Sequence, residues 1–191
     1  MNLGGGDRRR IGILQGRNCL KDAQNNILRL IGSSLVSLTT EARMQVVVKQ
    51  FHELTVDELY AILRLRAQVF VVEQDCVYQD LDDIDQEAWH VYIKDNDKVV
   101  GCLRVIDKGK RLDEVSIGRV VSLHRKRGIG RALMETGKAV AKEKLGATKI
   151  KIGAQIQAQP FYEKAGFVPC SSPYLEDGIP HVYMIYEENN S

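Results

Sequence analysis

No stretch of this chain comes near the ~20 consecutive apolar residues that a membrane-crossing helix needs, which excludes such a span. Cysteine is scarce: Cys19, Cys76, Cys102 and Cys170 stand alone, with no C-x-x-C pair. That scatter speaks against a disulfide framework and against a zinc site, and it points to a reducing compartment, the cytoplasm. Two familiar phosphate motifs are missing as well. There is no Gly-Lys-Ser/Thr for a P-loop, and Leu133 stands where a dinucleotide fingerprint requires its third glycine. No internal repeat is evident. A strong excess of one charge is lacking too, since 27 Lys and Arg face 25 Asp and Glu in 191 residues.

The near-neutral balance hides an asymmetry. Residues 1–43 hold seven basic and three acidic side chains, which leaves 20 basic and 22 acidic for 44–191. A slightly acidic main body argues against general nucleic-acid binding. The opening segment is polar and weakly patterned, with Gly4-Gly5-Gly6 followed by Arg8-Arg9-Arg10. Only Ile27, Leu30, Ile31, Leu35 and Leu38 suggest a short apolar helix, and Gly32-Ser33-Ser34 interrupts it. Ile11 to Leu14 is too short for a signal-peptide core. The expectation is one domain over 44–191 with Met44 as its natural start, preceded by a tag remnant or an over-extended reading frame.

From Met44 the patterns sharpen. Gln45 to Phe51 alternates as a strand does, and Thr55-x-x-Glu58 is a capping box opening a helix through Leu59, Ile62, Leu63 and Arg66. Val69 to Gln74 leads to an acidic loop carrying Asp80, Asp82, Asp83 and Asp85. Such a cluster attracts a cationic amine, or is a solvated loop, or organises the turn through side-chain-to-backbone bonds. Trp89–Ile93 and Lys98–Ile106 flank Asp95-Asn96-Asp97 and predict a hairpin. Further strands are expected over 114–123, 148–154, 167–170 and 181–186, with a short helix over 159–165 and a turn-rich loop from Pro173 to Pro180.

The informative stretch is Val120 to Lys144. An apolar strand runs into Arg125-Lys126-Arg127-Gly128-Ile129-Gly130 and then into an amphipathic helix. Ala132, Leu133, Thr136 and Val140 share one face of that helix, with Arg131, Glu135, Lys138 and Lys142 opposite. A helix start offers unpaired N–H groups and about half a positive charge, and glycine lets a ligand approach the backbone closely. The arginines add charge around the same point, so the site reads as a pyrophosphate cradle. The bland alternative is a strand-to-helix turn with a solvated basic face.

A second motif decides between them. Arg-x-x-Gly-x-Gly between strand and helix resembles the coenzyme A loop of GCN5-related N-acetyltransferases. About thirty residues later, Phe161-Tyr162-Glu163-Lys164-Ala165-Gly166-Phe167 resembles that superfamily's Phe-Tyr-x-x-x-Gly-Phe segment. Val69 to Gln74, Tyr78 to Asp85, Ile117 to Val121, Ile152 to Gln155 and Glu176 to His181 are similar to the ElaA-type subgroup. The resemblance covers 44–191.

It implies an α/β fold, a mixed and mostly antiparallel sheet flanked by helices, whose fourth and fifth strands splay. Acetyl-CoA would be the co-substrate, with no metal. The pantetheine arm would pair with backbone at Val120, Val121, Ser122 and Leu123. The pyrophosphate would rest on Arg125, Lys126, Arg127, Gly128, Ile129, Gly130 and Arg131. Gln155, where many members carry asparagine, offers a pantetheine contact on a longer stem. Tyr162 would be the general acid beside the sulfur, and an N–H near Val121 the oxyanion donor. The base stays open among Glu73, His90, His181 and a water relay, since Arg119 cannot serve and Glu114 lies early in its strand.

The acceptor would be an amine of a small molecule or peptide, taken up by a monomer or homodimer with no nucleic-acid or membrane partner. Two other functions remain: a coenzyme A-binding regulatory module without turnover, and an enzyme like the acyl-homoserine-lactone synthases. If the natural start is Met44, a chain of residues 44–191 keeps the melting temperature and the turnover of the full chain. A substantial loss of either refutes that start.

Overall fold

The computed structural model describes residues 44–76, 78–124 and 127–188. The reading of 1–43 as an extension lies outside them. The alternating segment forms β1 (Met44–Gln50), and Phe51 already turns away in a 3-10 turn. The capping box forms as expected at the start of α1 (Val56–Ala67): Thr55 Oγ1 accepts from the Glu58 N–H at 3.2 Å, and Glu58 Oε2 accepts from the Thr55 N–H at 3.0 Å. Glu58 also takes Lys49 Nζ at 2.7 Å and Lys94 Nζ at 3.3 Å, tying α1 to the sheet. Burial alone would raise this carboxyl, but the two lysines and the cap N–H bring it down to about 2. Val69 to Gln74, rich in β-branched residues, continues α1 as a π-helical stretch over Gln68–Glu73.

The expected hairpin is present as β2 (Trp89–Asp95) and β3 (Lys98–Ile106), joined by a turn with Asn96 at φ 55°. β4 (Val115–Ser122), α2 (Ile129–Leu145), β5 (Lys149–Gln155), α3 (Gln159–Lys164) and β6 (Val168–Pro169) follow. The Pro173–Pro180 loop is more ordered than a turn-rich reading suggests: it holds β7 (Tyr174–Glu176), which pairs with β8 (Ile179–Glu187). The sheet runs β1-β2-β3-β4-β5-β8-β6, with every pairing antiparallel except β4 with β5. Helices cover both faces. Strand alternation sends Cys102 to the α1 side, against Ile62 and Leu65, and Leu103 to the α2 side, with Leu133 and Ile117. The predicted helix faces hold, although Lys138 is not solvated: it donates to the Ala165 carbonyl at 3.1 Å and lies over the Tyr186 ring. No helix of the described residues is long and apolar enough to cross a membrane.

The acidic loop meets one of its expectations in part, since Asp82 Oδ1 accepts from the Ile84 N–H at 3.3 Å and so helps to organise the turn. Asp80, Asp82 and Asp85 neither face solvent nor wait for an amine, because three arginines occupy them. Arg66 pairs with Asp85 at 2.7 Å and Asp80 at 2.9 Å. Arg104 grips Asp82 with both Nη atoms and reaches Asp85 at 3.1 Å. Arg119 reaches Asp80 at 2.7 Å and Asp82 at 3.1 Å, with its guanidinium over the Tyr78 ring. Burial would raise the Asp82 carboxyl, but Arg104 overrides it and holds it at about 2. Only Asp83, at φ 60°, remains exposed.

Arg66 and Arg104 are each 1% exposed, so each depends on these carboxylates for its charge. Removing the shared one, Asp85→Ala, is expected to cost about 3–5 kcal/mol in urea unfolding. A loss below ~1 kcal/mol, the range of exposed pairs, would show that the lattice contributes little.

Candidate active site

β4 and β5 pair only at Val115–Ile150 and Ser116–Lys151, and then they part. On its other edge β4 carries a bulge, where Arg119 and Val120 together oppose Leu103. Arg119 sits there at φ 53°, an unfavourable conformation for a residue with a side chain. Beyond the bulge Leu123 donates to the Val100 carbonyl at 2.9 Å, and Val121 pairs with Cys102. Strand alternation therefore turns the backbone groups of Val121 and Leu123 toward β3 and those of Ser122 toward the gap. Of the four residues expected to meet the pantetheine arm, Val121 and Leu123 have these groups engaged within the sheet. Val120 lines the gap, and Ser122 has its backbone groups turned away from β3.

Gly128 opens α2 in the left-handed region, at φ 78°, which suits a residue without Cβ. The first helical bond runs from the Ala132 N–H to the Gly128 carbonyl, so the N–H groups of Ile129, Gly130 and Arg131 have no partner within the helix. Arg131 and Arg127 are exposed, with Arg127 4.0 Å from Asp95. Arg125 and Lys126 lie outside the described residues. Gly130 has a role other than the expected one. A Cβ there would stand 3.1 Å from two Phe161 ring carbons, so its bareness admits the aromatic ring of the second motif.

That contact seats α3. Pro160 falls in the first turn of the helix, and Gly166, at φ 91°, closes it. Tyr162 packs edge-on against Phe161 at 5.0 Å and Phe167 at 6.2 Å. Burial pushes its phenol up to about 12, so it is protonated at neutral pH. Tyr162 and Gln155, the last residue of β5, line one cavity of about 180 Å³ that passes through the gap between β4 and β5. The Gln155 amide oxygen accepts from Gln157 Nε2 at 2.8 Å, which leaves its own NH₂ for another acceptor.

The three side chains considered as a base separate clearly. Glu73 is exposed on the π-helical stretch, 3.5 Å from the Gln68 amide, and does not line the cavity. His90 is 2% exposed beneath the arginine lattice, bonded at 2.8 Å to the Asp85 carbonyl, and burial lowers its pKa. His181 lines the cavity, opposite Gln155 in the β5–β8 ladder and 5.9 Å from the Tyr174 ring. Its Nδ1 lies 2.8 Å from the Ile179 carbonyl, which can only accept, so Nδ1 carries the proton. Nε2 of the neutral ring is then a lone pair, as a base requires.

Several lining residues carried no signal in the sequence. Ser116 and Gln74 each have a buried side-chain oxygen without a partner among the described residues, Oγ and Oε1 respectively. Such an atom costs about 1–3 kcal/mol when left unmet, which marks a place where a ligand belongs. Arg111 pairs with Glu176 at 3.0 Å on the rim, and the Tyr174 hydroxyl donates to the same carboxylate at 3.2 Å. Arg111, on the loop between β3 and β4, and Glu176, on β7, stand 65 residues apart in the chain.

Comparison with known proteins identifies the family and the fold. Residues 49–188 match the acetyltransferase (GNAT) domain model. A UPF0039 protein of Schizosaccharomyces pombe is 42% identical over 150 residues, covering 76% of this chain and 99% of that protein. The crystal structure of Escherichia coli ElaA superimposes with a TM-score of 0.70 at 36% identity, covering 75% of this chain and 99% of that one. An acyl-CoA N-acyltransferase from Pseudomonas aeruginosa gives 0.69 at 38% identity, over 74% and 99%. This chain belongs to the GCN5-related N-acetyltransferase superfamily, with the acyl-CoA N-acyltransferase fold, in its ElaA-like subgroup.

Proposed function

We propose that the protein transfers an acetyl group from acetyl-CoA to the primary amine of a small molecule or peptide. The observation that carries this reading is the cavity through the parted strands, lined by Tyr162, Gln155 and His181 alike. The protein's own groups fit acetyl-CoA. The unpaired N–H groups of Ile129, Gly130 and Arg131 at a helix start suit a diphosphate, and the free Ser122 backbone suits an amide-bearing arm. Acetyl-CoA supplies the activated acyl group and the thiol that leaves.

An amine reaches the site mostly as ammonium and must lose a proton before it can attack. His181 Nε2 takes that proton, while the Nδ1–H bond to Ile179 holds the ring in the required tautomer. The Ser122 N–H, aimed into the gap, donates to the negative charge that develops on the acetyl oxygen. A donor of this kind is typically worth about 3–4 kcal/mol. This moves the donor one residue on from Val121, whose own N–H faces β3. Tyr162 stays protonated and donates its O–H to the departing sulfur.

Tyr162→Phe should keep acetyl-CoA affinity by calorimetry and lose turnover, read as coenzyme A release with an amine panel; unchanged kcat would remove Tyr162 from the mechanism. His181→Ala should lower kcat about 10²–10⁴-fold while acetyl-CoA affinity holds. If kcat is unchanged, a water relay is the base.

The diphosphate site has its own test. Asp and Asn both tolerate the left-handed backbone at position 128, so comparing them isolates charge. Gly128→Asp should weaken acetyl-CoA binding at least about tenfold more than Gly128→Asn. Equal affinities would move the diphosphate elsewhere and end this reading.

A further inference from the structure

Resting on the acyltransferase reading, we infer that the acceptor is a small amine bearing a second, uncharged hydrogen-bonding group such as a hydroxyl, and not an amino acid carrying a free carboxylate. The inference comes from the inner end of the cavity. Ser116 is the last β4 residue paired with β5, so its hydroxyl stands where the two strands part. It is 2% exposed, faces the cavity and has no partner among the described residues. Gln74 Oε1, on the opposite wall, is likewise buried and unmet. An amide oxygen only accepts, whereas a serine hydroxyl both donates and accepts. A ligand hydroxyl can donate to Gln74 Oε1 or exchange a hydrogen bond with Ser116. A carboxylate can accept from Ser116 but offers Gln74 Oε1 no donor.

The charges on the wall point the same way. Two cations line the cavity, and both are already held: Arg119 by Asp80 and Asp82, Arg111 by Glu176. Asp177 also lines it, with no ion pair among the described residues. An incoming ammonium group therefore finds a carboxylate, while a substrate carboxylate finds no unpaired Lys or Arg among the described residues that line the cavity. Phe70, Ile106 and Ile117 supply apolar wall between the two ends, suited to a short alkyl chain, and about 180 Å³ leaves room for little more.

Three amines of matched length separate the possibilities: propylamine, 3-amino-1-propanol and β-alanine, each offered with saturating acetyl-CoA. The expected order of kcat/KM places the amino alcohol about tenfold above propylamine, with β-alanine lowest. In Ser116→Ala and Gln74→Leu proteins, checked as folded by circular dichroism, the ratio of amino alcohol to propylamine should fall toward one. The inference is overturned if β-alanine equals or exceeds the amino alcohol, or if both variants keep the wild-type ratio. It is also overturned if acetyl-CoA binds by calorimetry yet none of the three amines releases coenzyme A. Failure of acetyl-CoA itself to bind would instead overturn the acyltransferase reading beneath it.

Discussion

The parting of β4 from β5 after Ser116 is the constraint on which the site depends. A parallel pair normally continues along its ladder, because unpaired backbone inside a sheet is costly. Here the ladder stops after two residue pairs, and β4 instead carries a bulge with Arg119 in the left-handed region. That conformation costs roughly 1–2 kcal/mol and is held from outside the strand. The Arg119 guanidinium is fixed by two carboxylates, by the Asp80 carbonyl at 3.0 Å, and by the Tyr78 ring. The opening is thus a maintained feature, and the backbone it leaves bare at Ser122 is what a cofactor arm can pair with.

The same contacts explain why so much charge is buried. Three arginines and three aspartates could be replaced by apolar side chains with little loss of stability, since buried pairs roughly balance desolvation against attraction. Apolar packing would not fix a loop in one place. Shared carboxylates do, because Asp85 must serve Arg66 and Arg104 while Asp80 must serve Arg66 and Arg119. The loop so fixed carries Gln74, Cys76 and Tyr78, which form one wall of the cavity. The lattice therefore links α1, β3 and the β4 bulge to that wall of the cavity.

What was legible in the sequence was local. The capping box at Thr55, the hairpin at Asp95–Asp97, the glycine opening α2 and the stop at Gly166 are all written within a few residues, and all are found. The arginine partners of the acidic loop were not legible, because they stand 14, 19, 22 and 37 residues away, beyond the reach of any pattern of neighbours. One clue was present. Arg104 is a lone charge in the otherwise apolar run of β3, where a buried strand calls for a counter-charge. His181 could be named as a candidate but not chosen, since its tautomer depends on the Ile179 carbonyl bending back toward the ring. Ser116 and Gln74 gave no sign, because an unmet hydrogen bond exists only in three dimensions.

Gly130 shows how two motifs that look independent in sequence act as one. Its missing Cβ lets Phe161 lie against the first turn of α2, and Tyr162 is the next residue along α3. In the proposed reading, the helix start holds one end of the acyl donor and Tyr162 meets the other. Their separation is then set by a single packing contact and not by the loops between them. A substituent at position 130 must push the ring, and α3 with it, by a few tenths of an ångström. Catalysis by positioning is sensitive on a scale of about 1 Å, so this glycine matters through the distance it fixes as much as through any room it leaves for phosphate.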